Sequence, residues 1–225
     1  TFDESEALAL ERAASEGLTY VSAYDDPWVI AGQGTLAGEV ARQLGAPPSA
    51  FVVPLSGGGL IGGIAAALRE DGAEGCRAPV CLAVSAERAA VMLASVQAGR
   101  PVELPEEETL ANALAGGIGL DNRHSYDLVR GLVDAHATVS EEEIADAMRY
   151  AVERLRLVVE GGGAVGLAAL LAHRVLEGAH TMESPPAVDG GLLPDDGPVV
   201  VILSGGNVAE ETLIRVLRGR DRTPA

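Results

Sequence analysis

Lysine is absent from this chain, because all 16 basic residues among its 225 are arginine. Chemistry that needs a side-chain amine to form a Schiff base therefore cannot be completed by these residues alone. Aromatic residues are also scarce, at 3% of the sequence, while 48% of the residues are hydrophobic. The length and composition predict one sizeable aliphatic core or two small lobes.

Three further scarcities limit the function classes. Cys76 and Cys81 are the only cysteines, so we expect no disulfide framework and predict a reducing, cytoplasmic location. No apolar run reaches the length of a membrane span, and no signal peptide is evident, so we predict no membrane partner. The net charge of −17 argues against a nucleic-acid partner, since little basic surface is available to neutralise phosphates.

The apolar pattern and the turn residues predict strands that alternate with helices. The predicted helices are 1–16, 27–44, 60–69, 86–98, 125–132, 140–155, 164–176 and 209–218. The predicted strands are 18–22, 50–54, 80–84, 137–139 and 199–203. Strands 50–54, 80–84 and 199–203 are continuous apolar runs, which are typical of a buried parallel sheet. The fold class expected is α/β, with a mostly parallel twisted sheet flanked by helices.

Three glycine runs stand where such a sheet binds ligands. Ser56–Gly59 and Ser204–Gly206 follow predicted core strands, and Gly161–Gly163 opens a helix. Ligands collect beyond the carboxyl ends of parallel strands, and helix N-termini favour phosphate. The pattern therefore predicts a phosphate-bearing cofactor, with the loops at 56–59 and 204–206 converging on one pocket. Close packing is the competing interpretation for any single run.

Other ligand classes are less well supported. The loop at 56–62 lacks the Gly-Lys-Ser/Thr ending of a P-loop and the downstream acidic residue of a dinucleotide site, so a nucleotide is the second choice. The four histidines show no paired spacing, and we predict no metal site.

Four segments, taken in order, resemble the serine/threonine dehydratase family of fold-type II pyridoxal-phosphate (PLP) enzymes. They are DDPWVIAGQGT at 25–35, PLSGGGL at 54–60, VEGGGAVGLAAL at 159–170 and LSGGN at 203–207. Their order and spacing match the family across nearly the whole chain. The resemblance implies PLP as the cofactor.

The resemblance also assigns roles to individual residues. It implies a phosphate loop of Ser56, Gly57, Gly58, Gly59 and Leu60. Ser204 would face the pyridine nitrogen, where a neutral hydroxyl does not enforce a protonated ring and so suits β-elimination better than transamination. Glu160 stands where the family has a glutamate near the cofactor; a carboxylate at a helix N-terminus is an equally weighted interpretation.

The resemblance also implies what this chain does not supply. The family's Schiff-base lysine and its loop for the substrate carboxylate precede the segments found here, so the chain resembles the C-terminal two-thirds of such an enzyme. Residues 1–35 would be a remnant of the smaller domain, and residues 36–225 the cofactor-binding domain. No catalytic residue is therefore assigned within the chain.

Two departures from the family bear on the subfamily. Ser85-Ala86 replaces a Glu-Pro that helps bind a divalent metal in many members, and Val91 replaces a second carboxylate. The segment Gly116–Tyr126 also differs from the usual threonine dehydratases. Together these departures resemble the dehydratases associated with hydroxyectoine utilisation.

The resemblance implies a PLP-dependent ammonia-lyase that dehydrates a small β-hydroxy-α-amino acid such as serine or threonine. It also implies a homo-oligomer in the full-length enzyme. Two alternatives stay open: a non-catalytic module that binds PLP or an amino acid, and a β-replacement transferase of the cysteine-synthase type. We expect this chain alone to be inactive.

Overall fold

The computed structural model describes residues 1–70, 78–173, 180–181, 193 and 197–219. The strands in this part of the chain are β1 (Ala50–Pro54), β2 (Val80–Ala86), β3 (Ala135–Val139), β4 (His180–Thr181) and β5 (Val199–Val201). They form one sheet in the order β4-β3-β2-β1-β5. Strands β1, β2, β3 and β5 are parallel, and β4 pairs with β3 in the antiparallel sense.

Helices connect the strands and cover the sheet. They are α1 (Phe2–Glu16), α2 (Pro27–Leu44), α3 (Gly59–Glu70), α4 (Val91–Ala98), α5 (Ser125–Leu132), α6 (Glu141–Tyr150), α7 (Gly161–Leu171) and α8 (Glu210–Arg218). A 3₁₀ turn spans Asn112–Leu114, and a π turn over Ala151–Leu155 follows α6. The predicted class, a mostly parallel α/β sheet flanked by helices, is confirmed.

Local sequence signals place the helix ends as expected. Thr1 and Ser140 each form a capping box with the glutamate three residues later, which fixes the start of α1 and α6. Asp26 accepts hydrogen bonds from the N–H groups of residues 28 and 29, and Pro27 occupies the first turn of α2. Gly17 and Gly45, both with positive φ, end α1 and α2.

The sheet separates two apolar cores, because successive side chains of a strand point to opposite faces. On one face, Val52, Leu82 and Val84 pack with α6 and α7 residues such as Ile144 and Val165. On the other face, strand residues pack with side chains of α3, α4 and α5. That second set includes Phe51, Val53, Ala83, Ile61, Ile64, Met92 and Val129.

Several predicted boundaries are wrong. Residues 18–22 form no strand; the segment is irregular chain, and Tyr20 bonds to Glu6 of α1. Strand β2 continues to Ala86, because its register with β3 extends to Val139, so the next helix begins only at Val91. Strand β3 likewise begins at Ala135, two residues before the prediction. Strand β5 ends at Val201 and is half-buried, since among the described residues only β1 pairs with it.

Two predicted helices also differ in detail. The helix expected over 140–155 changes to a π turn at Ala151, which turns Leu155 outward, where it is 42% exposed. Helix α7 begins three residues before the prediction, at Gly161 itself. Its predicted end at residue 176, together with Cys76 and most of the stretch 184–198, lies outside the described residues. No helix in the described ranges is long and apolar enough to span a membrane.

Candidate cofactor site

The two glycine turns that follow core strands lie at the same edge of the sheet. Ser56 stands two residues beyond β1, and Ser204 three residues beyond β5. These strands are parallel neighbours, with Val52 opposite Val201, so their carboxyl ends meet at one edge. This is the edge at which open α/β sheets bind ligands.

The loop between β1 and α3 needs its glycines for identifiable reasons. Gly58 has a φ of +87°, a conformation that residues with a Cβ rarely adopt. A Cβ at Gly57 would lie 2.6 Å from Tyr24 Cβ, and one at Gly59 would lie 2.6 Å from the Tyr24 carbonyl oxygen. A Cβ at Gly58 would lie 2.8 Å from Val129 Cγ2. The loop is therefore fixed from two sides by close packing.

The same loop presents hydrogen-bond donors that nothing in the described chain accepts. The backbone N–H groups of residues 57–61 find no acceptor among the described residues. Residues 57–59 are buried, so these donors are not simply left to bulk water. They stand at the N-terminus of the 12-residue helix α3, where the helix dipole is positive. Buried, unsatisfied donors at a positive helix end fit a phosphate group.

Ser56 is held at the start of this loop. Its Oγ donates a hydrogen bond of 2.9 Å to the carbonyl oxygen of Leu114, in the 3₁₀ turn. Leu114 also lies against Gly162, where an added Cβ would come within 3.3 Å of Leu114 Cγ. The segment around Leu114 thus connects the glycine loop to the start of α7.

Glu160 reaches the third glycine turn. Its backbone N–H donates to the Gly205 carbonyl oxygen at 3.1 Å, and its Oε1 occupies the space that a Cβ on Gly205 would need. Although Glu160 is the N-cap residue of α7, its side chain makes no capping hydrogen bond. Glu160 thus stands at a helix N-terminus, as the second interpretation expects, and its Oε1 faces the turn after β5; its place near a cofactor stays a prediction.

Ser204 is exposed at the start of that turn. The N-cap of α8 is Ala209, and that cap has no side-chain hydrogen bond, so neither Ser204 nor Asn207 caps the helix. An added Cβ on Gly163 would lie 2.7 Å from Gly205 N, which shows how tightly the turn abuts α7. The structure brings Glu160 and the 204–206 turn together; the contact of Ser204 with a cofactor remains a prediction.

Sequence reasoning missed two residues that organise the site. The backbone and ring of Tyr24 contact the glycine loop, as described above. The Asp25 carboxylate accepts hydrogen bonds from the N–H groups of Arg123, His124 and Ser125 at 2.7, 2.8 and 2.8 Å, and so caps α5 from about 100 residues away. The Asp-Asp-Pro pattern is typical of a turn and a helix start, as found at α2, but nothing local revealed the partner of Asp25.

A pair of tyrosines beside the loop shares one carboxylate. Tyr20 Oη donates to Glu6 Oε1 at 2.6 Å, and Tyr24 Oη lies 3.4 Å from the same oxygen. Burial, followed by the hydrogen bond to Glu6, raises the pKa of Tyr20 to about 12. Burial and the negative charge of Glu6 also raise the pKa of Tyr24 well above its ordinary value. Both hydroxyls are therefore protonated at neutral pH.

The positions of the family's metal ligands have structural roles here. Ser85 is buried, and its Oγ donates to the Leu55 carbonyl oxygen at 2.9 Å. Val91 is buried at the start of α4. In the described part of the chain, no group of three or more potential metal-ligating side chains is found.

A cavity of about 930 Å³ lies between α2, α3 and α5. Small and apolar residues such as Ile30, Ala66 and Leu128 line it, with Arg42 and Arg123 among the charged residues. None of the predicted cofactor residues lines this cavity, so it is separate from the glycine-loop site.

Comparison with known proteins gives the family. The family model described as "Pyridoxal-phosphate dependent enzyme" matches residues 1–205. The chain is 39% identical over 215 residues to an L-threonine ammonia-lyase of Geobacter sulfurreducens, covering 94% of this chain and 47% of that protein. An L-threonine ammonia-lyase of Thermotoga maritima is 32% identical over 216 residues, covering 96% of this chain and 48% of that protein.

Solved structures agree with these relatives. Maize serine racemase superposes with a TM-score of 0.73 at 29% identity, covering 95% of this chain and 59% of that one. The threonine deaminase of T.th. gives a TM-score of 0.69 at 31% identity, covering 89% of this chain and 66% of that one. The chain spans about half the length of the curated relatives it matches. It belongs to the family of pyridoxal-phosphate dependent enzymes, in the serine/threonine dehydratase group.

Proposed function

We propose that this chain is the cofactor-binding part of a PLP-dependent ammonia-lyase that dehydrates a serine- or threonine-like β-hydroxy-α-amino acid. The observation that carries the proposal is the row of N–H groups over residues 57–61, in a largely buried loop, which have no acceptor among the described residues. Its support from relatives is the pair of L-threonine ammonia-lyases named above. The hydroxyectoine-related subfamily remains a prediction from sequence.

Different residues of this chain would bind different parts of PLP. Ser56, Gly57, Gly58, Gly59 and Leu60 would hold the phosphate through backbone N–H groups at the start of α3. The Ser204 hydroxyl would share a hydrogen bond with the pyridine nitrogen without enforcing its protonation. Glu160, placed against the same turn, would lie near the ring. When bound, PLP supplies an electron sink that makes the substrate's α-proton acidic.

This chain does not contain the amine that removes that proton. With no lysine among the 225 residues, the chain alone should hold PLP only through noncovalent contacts. The same absence favours the second candidate function, a non-catalytic module that binds PLP. Turnover by the 225-residue chain alone is therefore not expected under either function.

We further propose the setting in which the site works. The buried, free thiol of Cys81 suits a reducing cytoplasm. A homo-oligomer and a division into a small-domain remnant (1–35) and a cofactor-binding domain (36–225) follow from the family resemblance. The division passes through α2, which runs unbroken from Pro27 to Leu44, so any hinge would have to lie elsewhere than at residue 35.

A titration of the isotopically labelled chain with PLP, and separately with inorganic phosphate, tests the proposal. Both ligands should shift the amide signals of residues 57–61, and PLP should also shift those of Gly205 and Gly206. The amide of Gly131, in α5, serves as the internal control. Unmoved 57–61 signals at millimolar PLP would contradict the proposed site.

A borohydride reduction in the presence of PLP tests the predicted lack of a covalent bond. Mass spectrometry should find no adduct on an internal side chain, because the N-terminal amine is the only primary amine present. Production of keto acid from serine or threonine by this chain alone would contradict the prediction that it is inactive.

A further inference from the structure

We infer that Tyr24 is a positioning residue of the phosphate loop: it holds Gly57 and Gly59 so that the N–H groups of residues 57–61 face the ligand together. The inference rests on the proposed PLP site. It concerns a residue that lies outside the loop and that no residue pattern in the loop reveals.

The side chain of Tyr24 fills the space beside Gly57. A Cβ built on Gly57 would lie 2.6 Å from Tyr24 Cβ and 2.7 Å from Tyr24 Cδ2, with Tyr24 Cγ closer still. Real Cβ atoms are not found at such distances, because atoms in a packed interior keep van der Waals separation. Glycine is thus required at 57 by the tyrosine ring, whether or not a phosphate is bound.

The backbone of Tyr24 takes up the space beside Gly59. A Cβ on Gly59 would lie 2.6 Å from the Tyr24 carbonyl oxygen and 2.9 Å from Tyr24 Cα. The two outer glycines therefore contact the same residue through different atoms: Gly57 contacts the side chain, and Gly59 contacts the main chain. This difference supplies a matched control, since a substitution at Tyr24 can relieve the first contact but not the second.

The central glycine is held from another direction. A Cβ on Gly58 would lie 2.8 Å from Val129 Cγ2 in α5 and 2.9 Å from Met92 Cε in α4. The loop is thus clamped between Tyr24 and the α4–α5 layer. A clamped loop keeps its N–H groups oriented before the ligand arrives, which lowers the ordering cost of binding.

Tyr24 is itself fixed in place. Its Oη lies 3.4 Å from Glu6 Oε1, and its ring centroid lies 6.5 Å from that of Phe2 with the planes tilted by 48°. The next residue, Asp25, binds three N–H groups at the start of α5. Because α5 also forms the opposite wall of the loop, both sides of the clamp belong to one hydrogen-bonded unit.

The first test compares Tyr24→Ala with Tyr24→Phe in titrations with PLP and with inorganic phosphate. Tyr24→Phe keeps the ring and should bind both ligands within about twofold of the original chain, whereas Tyr24→Ala should weaken both by about tenfold or more. The amide signals of residues 57–61 should move in Tyr24→Ala before any ligand is added. Equal affinity in all three chains would overturn the inference while leaving the proposed site intact.

If the original chain binds neither ligand at 57–61, the proposed function fails, and the inference fails with it. Thermal unfolding of each variant shows whether it is folded. If Tyr24→Ala is unfolded, Tyr24→Leu is used instead. Its affinity for PLP and phosphate should be lower than that of Tyr24→Phe, by up to about tenfold. An affinity for Tyr24→Leu equal to that of Tyr24→Phe would also overturn the inference.

The second test exploits the difference between Gly57 and Gly59. Gly57→Ala should weaken PLP binding by about tenfold in the original chain but by less than about threefold when Tyr24→Gly is already present. Gly59→Ala should weaken binding equally in both backgrounds, since the Tyr24 carbonyl remains. The inference would be contradicted if Gly57→Ala weakened PLP binding equally with and without the Tyr24 ring. It would also be contradicted if Tyr24→Gly restored PLP binding to Gly59→Ala.

Discussion

Two helices of this chain start at a run of three consecutive glycines, α3 at the last glycine of its run and α7 at the first, and the two runs need glycine for different reasons. At α3, Gly58 has a φ of +87°, and the loop is clamped by Tyr24 and the α4–α5 layer. At α7, none of residues 161–163 has a positive φ, yet each abuts neighbouring chain from the 110–114 segment or from Gly205. In both runs the first N–H groups find no acceptor among the described residues.

The difference shows how much a glycine run alone can reveal. The α7 run is accounted for by packing, because an added Cβ at Gly161 would collide with the Leu110 carbonyl group. The α3 run combines packing with a positive φ at Gly58, and a left-handed residue beside right-handed ones is typical of the backbone nests that bind anions. Of the two runs, only the one at α3 has the form expected of a phosphate loop.

The largest effect should come from a Cβ in the α7 run. In Gly161→Ala the new methyl would meet the Leu110 carbonyl and lie 2.9 Å from Ala111 N, and because these are backbone atoms they have little room to relax. We expect a loss of about 3 kcal/mol or more in the free energy of unfolding. Urea denaturation followed by circular dichroism measures it.

Gly131→Ala is the matched control for this change. Gly131 lies within α5, and nothing stands within 4 Å of its Cβ position. The alanine should be neutral or should stabilise the fold by up to about 1 kcal/mol, through its higher helix propensity. A Gly161→Ala chain as stable as Gly131→Ala would mean that the α7 run is not a packing requirement, and the contrast with α3 would fail.

A smaller effect should follow loss of the Asp25 carboxylate, which ties the Tyr24 side of the α3 loop to α5. Asp25→Ala leaves three N–H groups at 123–125 without their acceptor, and we expect a loss of about 2 kcal/mol in unfolding free energy. Asp127→Asn, an exposed change in the first turn of the same helix, should cost about 0.5 kcal/mol or less.

The site of the disturbance distinguishes the two glycine runs. In Asp25→Ala, the amide signals of residues 57–59 should shift, and those of residues 161–163 should stay in place, because the Asp25 carboxylate bonds to the start of α5, the helix that packs against Gly58. Equal shifts in both runs would show that the α3 and α7 loops respond as one unit.

The sequence predicts the sheet well and the site in part. The apolar runs at 50–54 and 80–84 identify β1 and β2, and capping residues such as Thr1 and Ser140 mark helix starts that the structure confirms. Such signals are local. The end of β2 at Ala86 depends instead on pairing with β3, and the half-buried state of β5 depends on which strand lies beside it.

The clamp on the glycine loop was not predictable for the same reason. Tyr24 and Gly57 are 33 positions apart, and Asp25 bonds to residues about 100 positions away. No periodicity or motif connects such pairs. The loop at 56–60 could be recognised because its glycines are contiguous, whereas the residue that holds it is a single tyrosine in irregular chain.

The smallest effect should be a loss of folding stability at alkaline pH, to which the tyrosine pair beside the α3 loop should contribute. Burial and Glu6 raise the pKa of Tyr20 to about 12 and that of Tyr24 still further, and burial raises the pKa of Cys81 to about 12. An acid whose pKa is higher in the folded state retains its proton there while the unfolded chain loses it. The contribution of such a group to the free energy of unfolding is therefore complete below its pKa in the unfolded chain, about 8.5 for Cys and 10 for Tyr. That contribution is lost as the pH rises toward 12.

Urea midpoints measured from pH 8 to pH 11 should accordingly fall. The decline should be shallower in the Tyr20→Phe, Tyr24→Phe double variant, which keeps both rings and removes both titrating hydroxyls. An identical slope in the double variant would show that the tyrosine pair beside the glycine loop does not contribute to the alkaline loss.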